Sequence, residues 1–387
     1  MKESGIQRLC VGSHRKDGDS MSRLMEHFQV LHSIPERGME EWKTSAYLAD
    51  ALEAAGYTTE RHVGGQTGVV GVWKSGVPGP VLALRADMDA LTHVIGGRVC
   101  QRHTCGHDGH SSMVLTAAEE AKEAGLVKRG MLKILFQPAE ELASGALSMI
   151  EGGAIDDVDI LIGSHIQPAA NVPTGMITPA MYHAAQYMLT ARFHGMQAHG
   201  SRPHLGVNAI EAASMAVVGT SMIHMNPNDS FSVKPTRFLC DAGALNAIPP
   251  EASVSWDLRA ESNEVMAEMK EKTIRAVRGA ASAVGASVDW ICEGEVPAAE
   301  YTESAVQLIS GAVAGALGKD RLYTPIRLTG GEDFHYYIRH KPSLEAGYFG
   351  IGCNALPGLH HPDMHFETKY LEDGKDVFVE IIKKVLG

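Results

Sequence analysis

The sequence has little of three things: cysteine, net positive charge and long apolar runs. Its six cysteines, in a chain of 387 residues, show no regular spacing, which in a chain of this size is typical of reduced thiols. The formal net charge of -12 argues against the basic face that a nucleic-acid partner requires. No stretch approaches the roughly 20 apolar residues of a transmembrane helix, so we expect no membrane partner either. Together these absences favour a soluble, cytoplasmic protein.

The length of the chain predicts more than one domain. A sequence of 387 residues that is 44% hydrophobic is long for a single core. One hydrophobic core usually stops growing at roughly 250 to 300 residues, so we expect two domains. Residues 1–20 are polar and lack the apolar segment of a signal peptide, and we interpret them as a disordered leader that precedes the fold.

Residues 102–110 concentrate metal-binding side chains in one short segment, which reads RHTCGHDGH. Thiolates, imidazoles and carboxylates all bind borderline divalent metals when deprotonated. In Cys105-Gly106-His107 the two outer residues of an extended stretch project the same way, and the glycine lets the backbone approach an ion. Isolated Cys and His residues are more often buried or surface residues than ligands. A metal site here therefore requires further ligands from elsewhere in the chain.

Polar side chains follow three apolar runs, at 81–84, 131–136 and 158–162, that read as buried strands. In chain order these side chains are Arg85, Asp87 and Asp89, then Glu140 and Glu141, and then His165. The carboxyl ends of the strands form the ligand-binding edge of an open parallel α/β sheet. We therefore expect the three groups to converge with the segment that contains Cys105.

Two pairs of neighbouring residues each offer a ligand. Glu140 and Glu141 follow a strand and a Gln-Pro break, where one carboxylate is able to hold a metal while the other transfers protons. The alternative is a solvated charge pair on a helix. His360 and His361 precede Pro362, and nothing local indicates which imidazole turns inward. With one of them, the candidate set of one Cys, one Glu and three His is enough for two metals.

The middle of the chain predicts an inserted domain. Its pattern is β-α-β-β-α-β, the order of a ferredoxin-like unit. The predicted elements are strands at 186–193, 232–240, 253–260 and 287–293, a helix that begins near Val207, and a helix at 262–284. We expect a catalytic domain made of residues 21–182 and 294–387, an inserted domain at 183–293, and hinges near residues 182 and 294.

Eight segments, taken together, resemble a known family: the zinc or manganese aminoacylases and carboxypeptidase-like amidohydrolases. The branch is the one that holds indole-acetyl-amino-acid, hippurate and aminobenzoyl-glutamate hydrolases. The segments run in the family's order: LHSIPE (31–36), LRADMDAL (84–91), CGHD (105–108), FQPAEE (136–141), AHGSRPH (198–204), NAIP (246–249), GEDF (331–334) and LHHP (359–362). The resemblance implies an α/β metallopeptidase-like catalytic domain with a central, mostly parallel sheet, and a ferredoxin-like α+β insertion that serves as lid and dimerisation domain.

Position by position, the resemblance implies a role for each candidate residue. The implied metal ligands are Cys105, His107, Glu141, His165 and His360. Glu140 is implied as general base, and His199 as a residue that reaches the substrate carbonyl, commonly in the active site of the other subunit. Asn246 and Arg259 match positions that recognise the carboxylate end of the substrate. The implied cofactors are two divalent ions per subunit, Zn, Mn, Co or Ni, and the implied assembly is a homodimer through the inserted domain.

The chain departs from the family pattern in two places. Residues 92–101 replace the usual Pro-Ile and glutamate with a shorter approach to the Cys-Gly-His motif, which bears on substrate identity rather than on the chemistry. Glu367-Thr368 stands where the family usually has Asp-Glu, which bears on the support of His360.

These expectations predict a metal-dependent amidohydrolase that cleaves N-acyl or N-aroyl amino acids, or related small amides, into a carboxylic acid and an amino acid. Three alternatives remain: a small-peptide carboxypeptidase or dipeptidase on the same scaffold, a non-catalytic metal-binding homologue, and a thiol enzyme with Cys105 as nucleophile. The presence of Glu140 argues against a non-catalytic homologue, and the spread of ligands along the chain argues against a thiol enzyme.

Overall fold

The computed structural model describes residues 21–387, in which the chain forms nine helices and seventeen strands. The predicted leader at 1–20 lies outside the described residues. The helices are α1 (Arg23–Ser33), α2 (Trp42–Ala54), α3 (His107–Glu123), α4 (Gly145–Glu151), α5 (Ala209–Ser221), α6 (Asn263–Ala283), α7 (Glu303–Ala316), α8 (His335–His340) and α9 (Leu371–Leu386). None of these helices combines the length and the apolar character that a membrane span needs.

The strands divide between two main sheets and several short pairs. They are β1 (Thr58–Val63), β2 (Gly68–Lys74), β3 (Val81–Asp87), β4 (Leu91–Ile95), β5 (Arg98–Arg102), β6 (Met131–Gln137), β7 (Ile160–Gln167), β8 (Ile177–Thr178), β9 (Met181–His183), β10 (Ala185–His194), β11 (Ala198–His199), β12 (Phe231–Leu239), β13 (Ala247–Ile248), β14 (Glu251–Ala260), β15 (Ser287–Val296), β16 (Ile326–Leu328) and β17 (Glu345–Gly352).

The larger sheet has seven strands in the order β1-β2-β6-β3-β7-β17-β8. Its four central strands, β6, β3, β7 and β17, are parallel, as predicted. The sheet as a whole is mixed, because β1 and β2 form an antiparallel hairpin that joins β6, and β8 pairs antiparallel with β17. A tight hairpin forces antiparallel pairing, whereas parallel neighbours require a crossover connection.

Helices cover both faces of the larger sheet. On one face α1, α2, α3, α7 and α9 enclose the largest apolar core, and on the other α4 and α8 enclose a smaller one. A parallel strand that is buried on both faces reads as a continuous apolar run, which is why the sequence predicts β3, β6 and β7. β7 is longer than predicted: it continues through His165 instead of ending before it.

The second sheet has four antiparallel strands in the order β12-β14-β10-β15. Helices α5 and α6 pack on it and share a separate apolar core with it. The order of elements and of strands is the one that the ferredoxin-like prediction requires. β15 continues to Val296, past the predicted boundary at residue 293. The division into domains and the hinges near residues 182 and 294 stay predictions.

The segment at 92–101, where the sequence departs from the family pattern, forms most of a hairpin. β4 and β5 pair antiparallel and are joined by Gly96-Gly97, with φ of +57° and +78°. Two positive φ values in a two-residue loop are the condition for a type I′ turn, which glycine meets without strain. The facing residues Val94 and Val99 are 71% and 67% exposed. The hairpin leads directly into the segment that contains Cys105.

Candidate metal centre

One edge of the larger sheet gathers side chains from several separate segments. β6 runs into a single 3-10 turn at Glu140–Leu142, β7 contains His165, and α3 begins at His107. A cleft of about 770 Å³ opens over this edge. Among its lining residues are Cys105, Glu140, Glu141, His165 and His360. The structure therefore brings these predicted site residues together at the expected edge of the sheet.

Gly106 sets the direction of the Cys-Gly-His segment. It precedes α3 with a φ of +90°, which side chains rarely adopt. A Cβ atom at this position would lie 2.4 Å from Cδ1 of Ile166, well inside contact distance. Only glycine therefore fits between the segment and β7, and this close approach places Cys105 beside His165.

Hydrogen bonds at Nδ1 leave Nε2 of two histidines free for the cleft. Nδ1 of His107 lies 3.0 Å from Oδ1 of Asp89, and Nδ1 of His165 lies 2.6 Å from the carbonyl oxygen of Ile166. Such partners orient an imidazole that ligates a metal through its other nitrogen. Nε2 of His165 lies 3.3 Å from Sγ of Cys105. His107 Nε2 is buried and has no hydrogen-bond partner among residues 21–387.

His360, and not His361, faces the cluster. Nε2 of His360 lies 3.2 Å from Oε1 of Glu141. Nδ1 of His361 instead accepts from the backbone N–H of Asp363 at the surface. The backbone of His360 has a φ of +65°, and its N–H donates to the carbonyl of Thr104. The loop is therefore tied to the Cys105 segment, which decides between two histidines that the sequence left equivalent.

Of the close groups of possible ligand atoms in residues 21–387, two contain Cys105. One group is Cys105, His107 and His165, and the other is Cys105, Glu141 and His360. In each group the ligand atoms lie within 4.8 Å of one another. The soft thiolate and imidazole donors suit zinc and its neighbours in the first transition series.

Electrostatics of the cluster also fit a cation. Burial, together with Glu141 and Glu140, raises the pKa of the Cys105 thiol well above its usual range. Burial alone lowers the pKa of His107, but the carboxylates around it outweigh burial and raise that pKa to about 10. Protons on these two side chains thus offset the carboxylates, and a metal replaces such protons when it binds. Within residues 21–387, His107 Nε2 is buried without a hydrogen-bond partner, and Glu141 Oε1 has His360 Nε2 at 3.2 Å, so both atoms lie where a cation would be held.

Glu140 lies among other carboxylates. Its Oε2 is 3.9 Å from Nε2 of His107, and it forms a group of close carboxylates with Glu332 and Asp333. Burial, and then the charges of Glu332, Glu141 and Asp333, raise its pKa well above the usual value. A raised pKa makes a carboxylate a stronger base, which suits it to proton transfer.

A buried arginine holds the two added carboxylates in place. Arg85 is fully buried and bonds to Asp87 at 2.7 Å and to Glu332 and Asp333 at 3.0 Å each. Tyr348 also donates to Glu332 at 2.9 Å. The sequence showed Glu332 and Asp333 only as part of a family motif, without a role. Their position beside Glu140 follows from contacts with β3 that no local pattern shows.

Of the three remaining predicted site residues, one lines the cleft and two lie outside it. Arg259 lines the cleft, where its Nε bonds to Asp257 at 2.8 Å and its Nη1 to the carbonyl of Thr329 at 3.2 Å. His199 and Asn246 do not line it. They lie at the exposed surface near the β11–β13 pair, where the N–H of Gly200 donates to the Asn246 carbonyl. The single chain therefore does not bring these two residues to the metal cluster.

Sequence reasoning missed several residues of the cleft. His183, Gln186 and Arg327 line it beside Arg259. They come from β9, from the start of β10 and from β16, which are short or junctional segments. Nothing in their spacing marks them, because each reaches the cleft only through the packing of one sheet against the other.

Comparison with known proteins agrees with this geometry. Residues 83–384 match the model of Peptidase family M20/M25/M40. The chain belongs to this family. An N-acetyl-L-cysteine deacetylase of Bacillus subtilis is 30% identical over 92% of the chain and 86% of its own length. The hippurate hydrolase of Campylobacter jejuni is 29% identical over 92% of the chain and 94% of its own length.

A solved structure of the M20 family extends the comparison to the fold. It is a dinuclear metal-binding peptidase from Bacillus subtilis, with a TM-score of 0.78 and 26% identity, covering 94% of this chain and 98% of that one. The predicted family and the predicted fold class are thereby confirmed. The relatives of this M20 member are named as enzymes that act on N-acylated or N-aroylated amino acids.

Proposed function

We propose that this chain hydrolyses the amide bond of N-acyl or N-aroyl amino acids and releases a carboxylic acid and a free amino acid. The observation that carries the proposal is the convergence of two overlapping ligand groups on the cleft where Glu140 lies. The names of the M20 relatives support the substrate class.

We infer that Cys105, His107, Glu141, His165 and His360 hold two divalent ions. The donor set accommodates Zn, Mn, Co or Ni, and supply and geometry select among them. When bound, such ions activate water and polarise a carbonyl oxygen. Asp89 orients the His107 ring, and the carbonyl of Ile166 orients the His165 ring, so that each Nε2 atom is the one left to serve as a ligand.

Glu140 is the proposed general base. Its carboxylate accepts a proton from the attacking water and returns it to the departing amine nitrogen. Burial, and then the charges of Glu332, Glu141 and Asp333, raise the pKa of Glu140, which favours proton uptake by its carboxylate. Arg259 is proposed to bind the carboxylate of the amino-acid half, because its guanidinium faces the same cleft.

Cys105 is a poor candidate for a nucleophile. It is buried, with 6% of its surface exposed, and its partner His165 has a pKa well below the usual range, because burial opposes the charged imidazole. A neutral histidine does not stabilise a thiolate in the way that a charged one does. The ligand role therefore fits Cys105 better than the thiol-enzyme alternative.

We further propose that the chain acts as a homodimer through the inserted domain at residues 183–293. β12 is an edge strand of its sheet, and α5 exposes Ile210, Met215 and Val218 at 43%, 44% and 57%. An unpaired edge strand beside an apolar helix face is a surface suited to another chain. His199 and Asn246 would then serve a cleft of the other subunit. A cytoplasmic location fits as well, since it keeps the Cys105 thiol reduced.

The test is a turnover panel with four compounds: hippurate, N-acetyl-L-cysteine, p-aminobenzoyl-L-glutamate and indole-3-acetyl-L-aspartate. The protein is loaded separately with Zn, Mn, Co or Ni, and mass spectrometry detects the released amino acid. We expect hydrolysis of at least one compound and its loss on chelation. Hydrolysis of dipeptides but of none of the four would favour the carboxypeptidase or dipeptidase alternative. Bound metal without any hydrolysis would favour the non-catalytic homologue.

A further inference from the structure

A pair of buried histidines lies in the wall of the cleft and takes no part in the proposed chemistry. Nδ1 of His183, at the end of β9, lies 3.2 Å from Nε2 of His335, at the start of α8. The rings of Tyr301, Phe334 and Tyr348 surround His335 with centroids 5.5, 5.9 and 6.5 Å from its own. The two histidines are therefore each other's hydrogen-bond partners in a largely apolar box.

The pair is uncharged. Burial, and then the charge of Arg85, lower the pKa of His183 to about 4. Burial, His183 and Arg85 together lower the pKa of His335 well below its usual value. Each ring thus carries one proton, and in a neutral imidazole one nitrogen donates while the other accepts.

The surroundings of His335 decide which nitrogen carries each proton. Nδ1 of His335 is buried, and no residue in the described part of the chain forms a hydrogen bond with it. If His183 donated, His335 would carry its proton on that nitrogen, and a buried N–H would be left unpaired, which is rare in proteins. The favoured arrangement is the reverse: His335 donates from Nε2 to Nδ1 of His183. His183 then carries its own proton on Nε2.

Nε2 of His183 is the polar atom that the pair offers to the cleft. His183 lines the cleft, and its Nε2 has no protein partner, yet it is not among the buried unpartnered atoms of the described residues. His183 pairs in register with Leu328. The next residue, Thr329, accepts a hydrogen bond at its carbonyl from Nη1 of Arg259. Gln186 pairs in register with Arg259 on β14. His183 and Arg259 therefore flank the same short wall.

We propose that His183 is a substrate-binding residue, which donates a hydrogen bond from Nε2 to an oxygen on the amino-acid half of the substrate, and that His335 is its positioning residue. The inference rests on the proposed function for the identity of the ligand. The donor is fixed before binding, because His335 allows only one tautomer. A neutral hydrogen-bond donor beside Arg259 would orient the substrate carboxylate without adding a second positive charge.

The first experiment measures binding without turnover. In a Glu140→Gln background, calorimetry with the four panel compounds gives dissociation constants for His183→Leu, His183→Gln and a control, His340→Leu, at an exposed residue outside the cleft. We expect His183→Leu to weaken binding by roughly tenfold to a hundredfold, the range for losing one hydrogen bond to a charged group. His183→Gln places an amide donor near the Nε2 position and should recover most of the affinity.

The energetic coupling between His183 and His335 is measured with a third variant, His335→Phe, and with the double variant that combines it with His183→Leu. His335→Phe should also weaken binding, and the losses of His183→Leu and His335→Phe should not add, because His335 acts only by positioning the His183 donor. With Glu140 intact, the losses should appear mainly in KM and leave kcat within about threefold, as expected for uniform binding. Unchanged affinity in His183→Leu, or fully additive losses, would overturn the proposal.

A second measurement uses wild-type protein without substrate, so it does not depend on whether a variant folds. Nitrogen-15 NMR of histidine-labelled wild-type protein reports the tautomer of each ring, and we expect His183 to be neutral with its proton on Nε2 from pH 6 to pH 8. A proton on Nδ1 would make His183 an acceptor and refute the proposal. If the wild-type protein hydrolyses none of the four compounds, the proposed function fails. The NMR tautomer of His183 then tests the present proposal independently of turnover.

Discussion

Glu140 and Glu141 are neighbours in the chain, yet their carboxylates lie in different surroundings. Glu140 lies beside Glu332 and Asp333, and its pKa is raised. For Glu141 burial favours the neutral form, but His360 and His107 outweigh it and lower its pKa. Two carboxylates whose environments separate their pKa values are suited to different roles. This difference supports Glu140 as base and Glu141 as ligand.

Glu140→Gln and Glu141→Gln are therefore a matched pair. We expect Glu140→Gln to keep its metal and to lose turnover by roughly 100-fold to 10,000-fold, because an amide cannot accept the proton. We expect Glu141→Gln to lose metal, because the amide is a weaker ligand. Elemental analysis and turnover on the best panel compound measure both effects. Near-normal turnover in Glu140→Gln would rule out its role as base.

The thiol prediction also belongs to single residues. Cys105→Ser should lower metal content, since a neutral hydroxyl is a much poorer ligand than a thiolate. Cys353→Ala is the control, because Cys353 is a buried core residue outside both ligand groups. Elemental analysis of both variants, after growth with the same metal supply, gives the comparison. Equal occupancy in wild type and Cys105→Ser would contradict the ligand role.

At the scale of elements, the start of α3 is the most constrained point of the site. α3 is almost wholly buried in its first three turns, so it cannot shift to relieve strain at its N-terminus. Gly106 has a positive φ there and touches Ile166 of β7. The helix, the strand and the two proposed ligands, Cys105 and His107, therefore share one tight junction.

Gly106→Ala tests this junction against Gly279→Ala. At Gly106 the added Cβ meets Ile166 and the φ of +90° is unfavourable, so we expect a loss of about 1 to 3 kcal/mol of unfolding free energy, together with weaker metal binding. Gly279 is exposed within α6, and no atom of the described residues lies within 4 Å of an added Cβ, so alanine there should stabilise by about 0.5 to 1 kcal/mol.

Denaturant unfolding of the metal-free proteins measures both changes. If Gly106→Ala were as stable as wild type and bound metal with the same affinity, the predicted clash between the added Cβ and Ile166 would be wrong.

At the scale of the whole molecule, the proposed reaction is incomplete in one chain. His199 and Asn246 are exposed and lie outside the cleft, although the family resemblance implies that both contact the substrate. Either the two sheets approach each other, or a second subunit supplies these residues. The edge strand β12 and the exposed face of α5 favour the second route.

Subunit mixing distinguishes these routes. His199→Ala should keep its fold and its metal, and lower turnover by about 100-fold or more, the scale for one oxyanion donor. We then mix it with Glu140→Gln under conditions of verified subunit exchange. If His199 acts across the dimer, each heterodimer has one intact site, and an equal mixture should recover about one quarter of wild-type activity. No recovery would mean that His199 acts within its own chain or not at all.

The sequence by itself determined the class of fold and where the site would be sought. Buried parallel strands are continuous apolar runs, so β3, β6 and β7 could be recognised without any knowledge of their neighbours. Ligand candidates at the ends of such strands converge in any sheet of this kind, which is why Glu140, Glu141 and Cys105 could be grouped from spacing alone. The ferredoxin-like order of elements was likewise a matter of local periodicity.

Only the tertiary structure decided the rest. It turned His360 rather than His361 toward Glu141, placed Glu332 beside Glu140, and paired His183 with His335. It also kept His199 out of the cleft of its own chain. Each of these outcomes depends on contacts between segments far apart in the sequence. Local periodicity reports which side of one strand or helix is buried, but it carries no information about what that side meets.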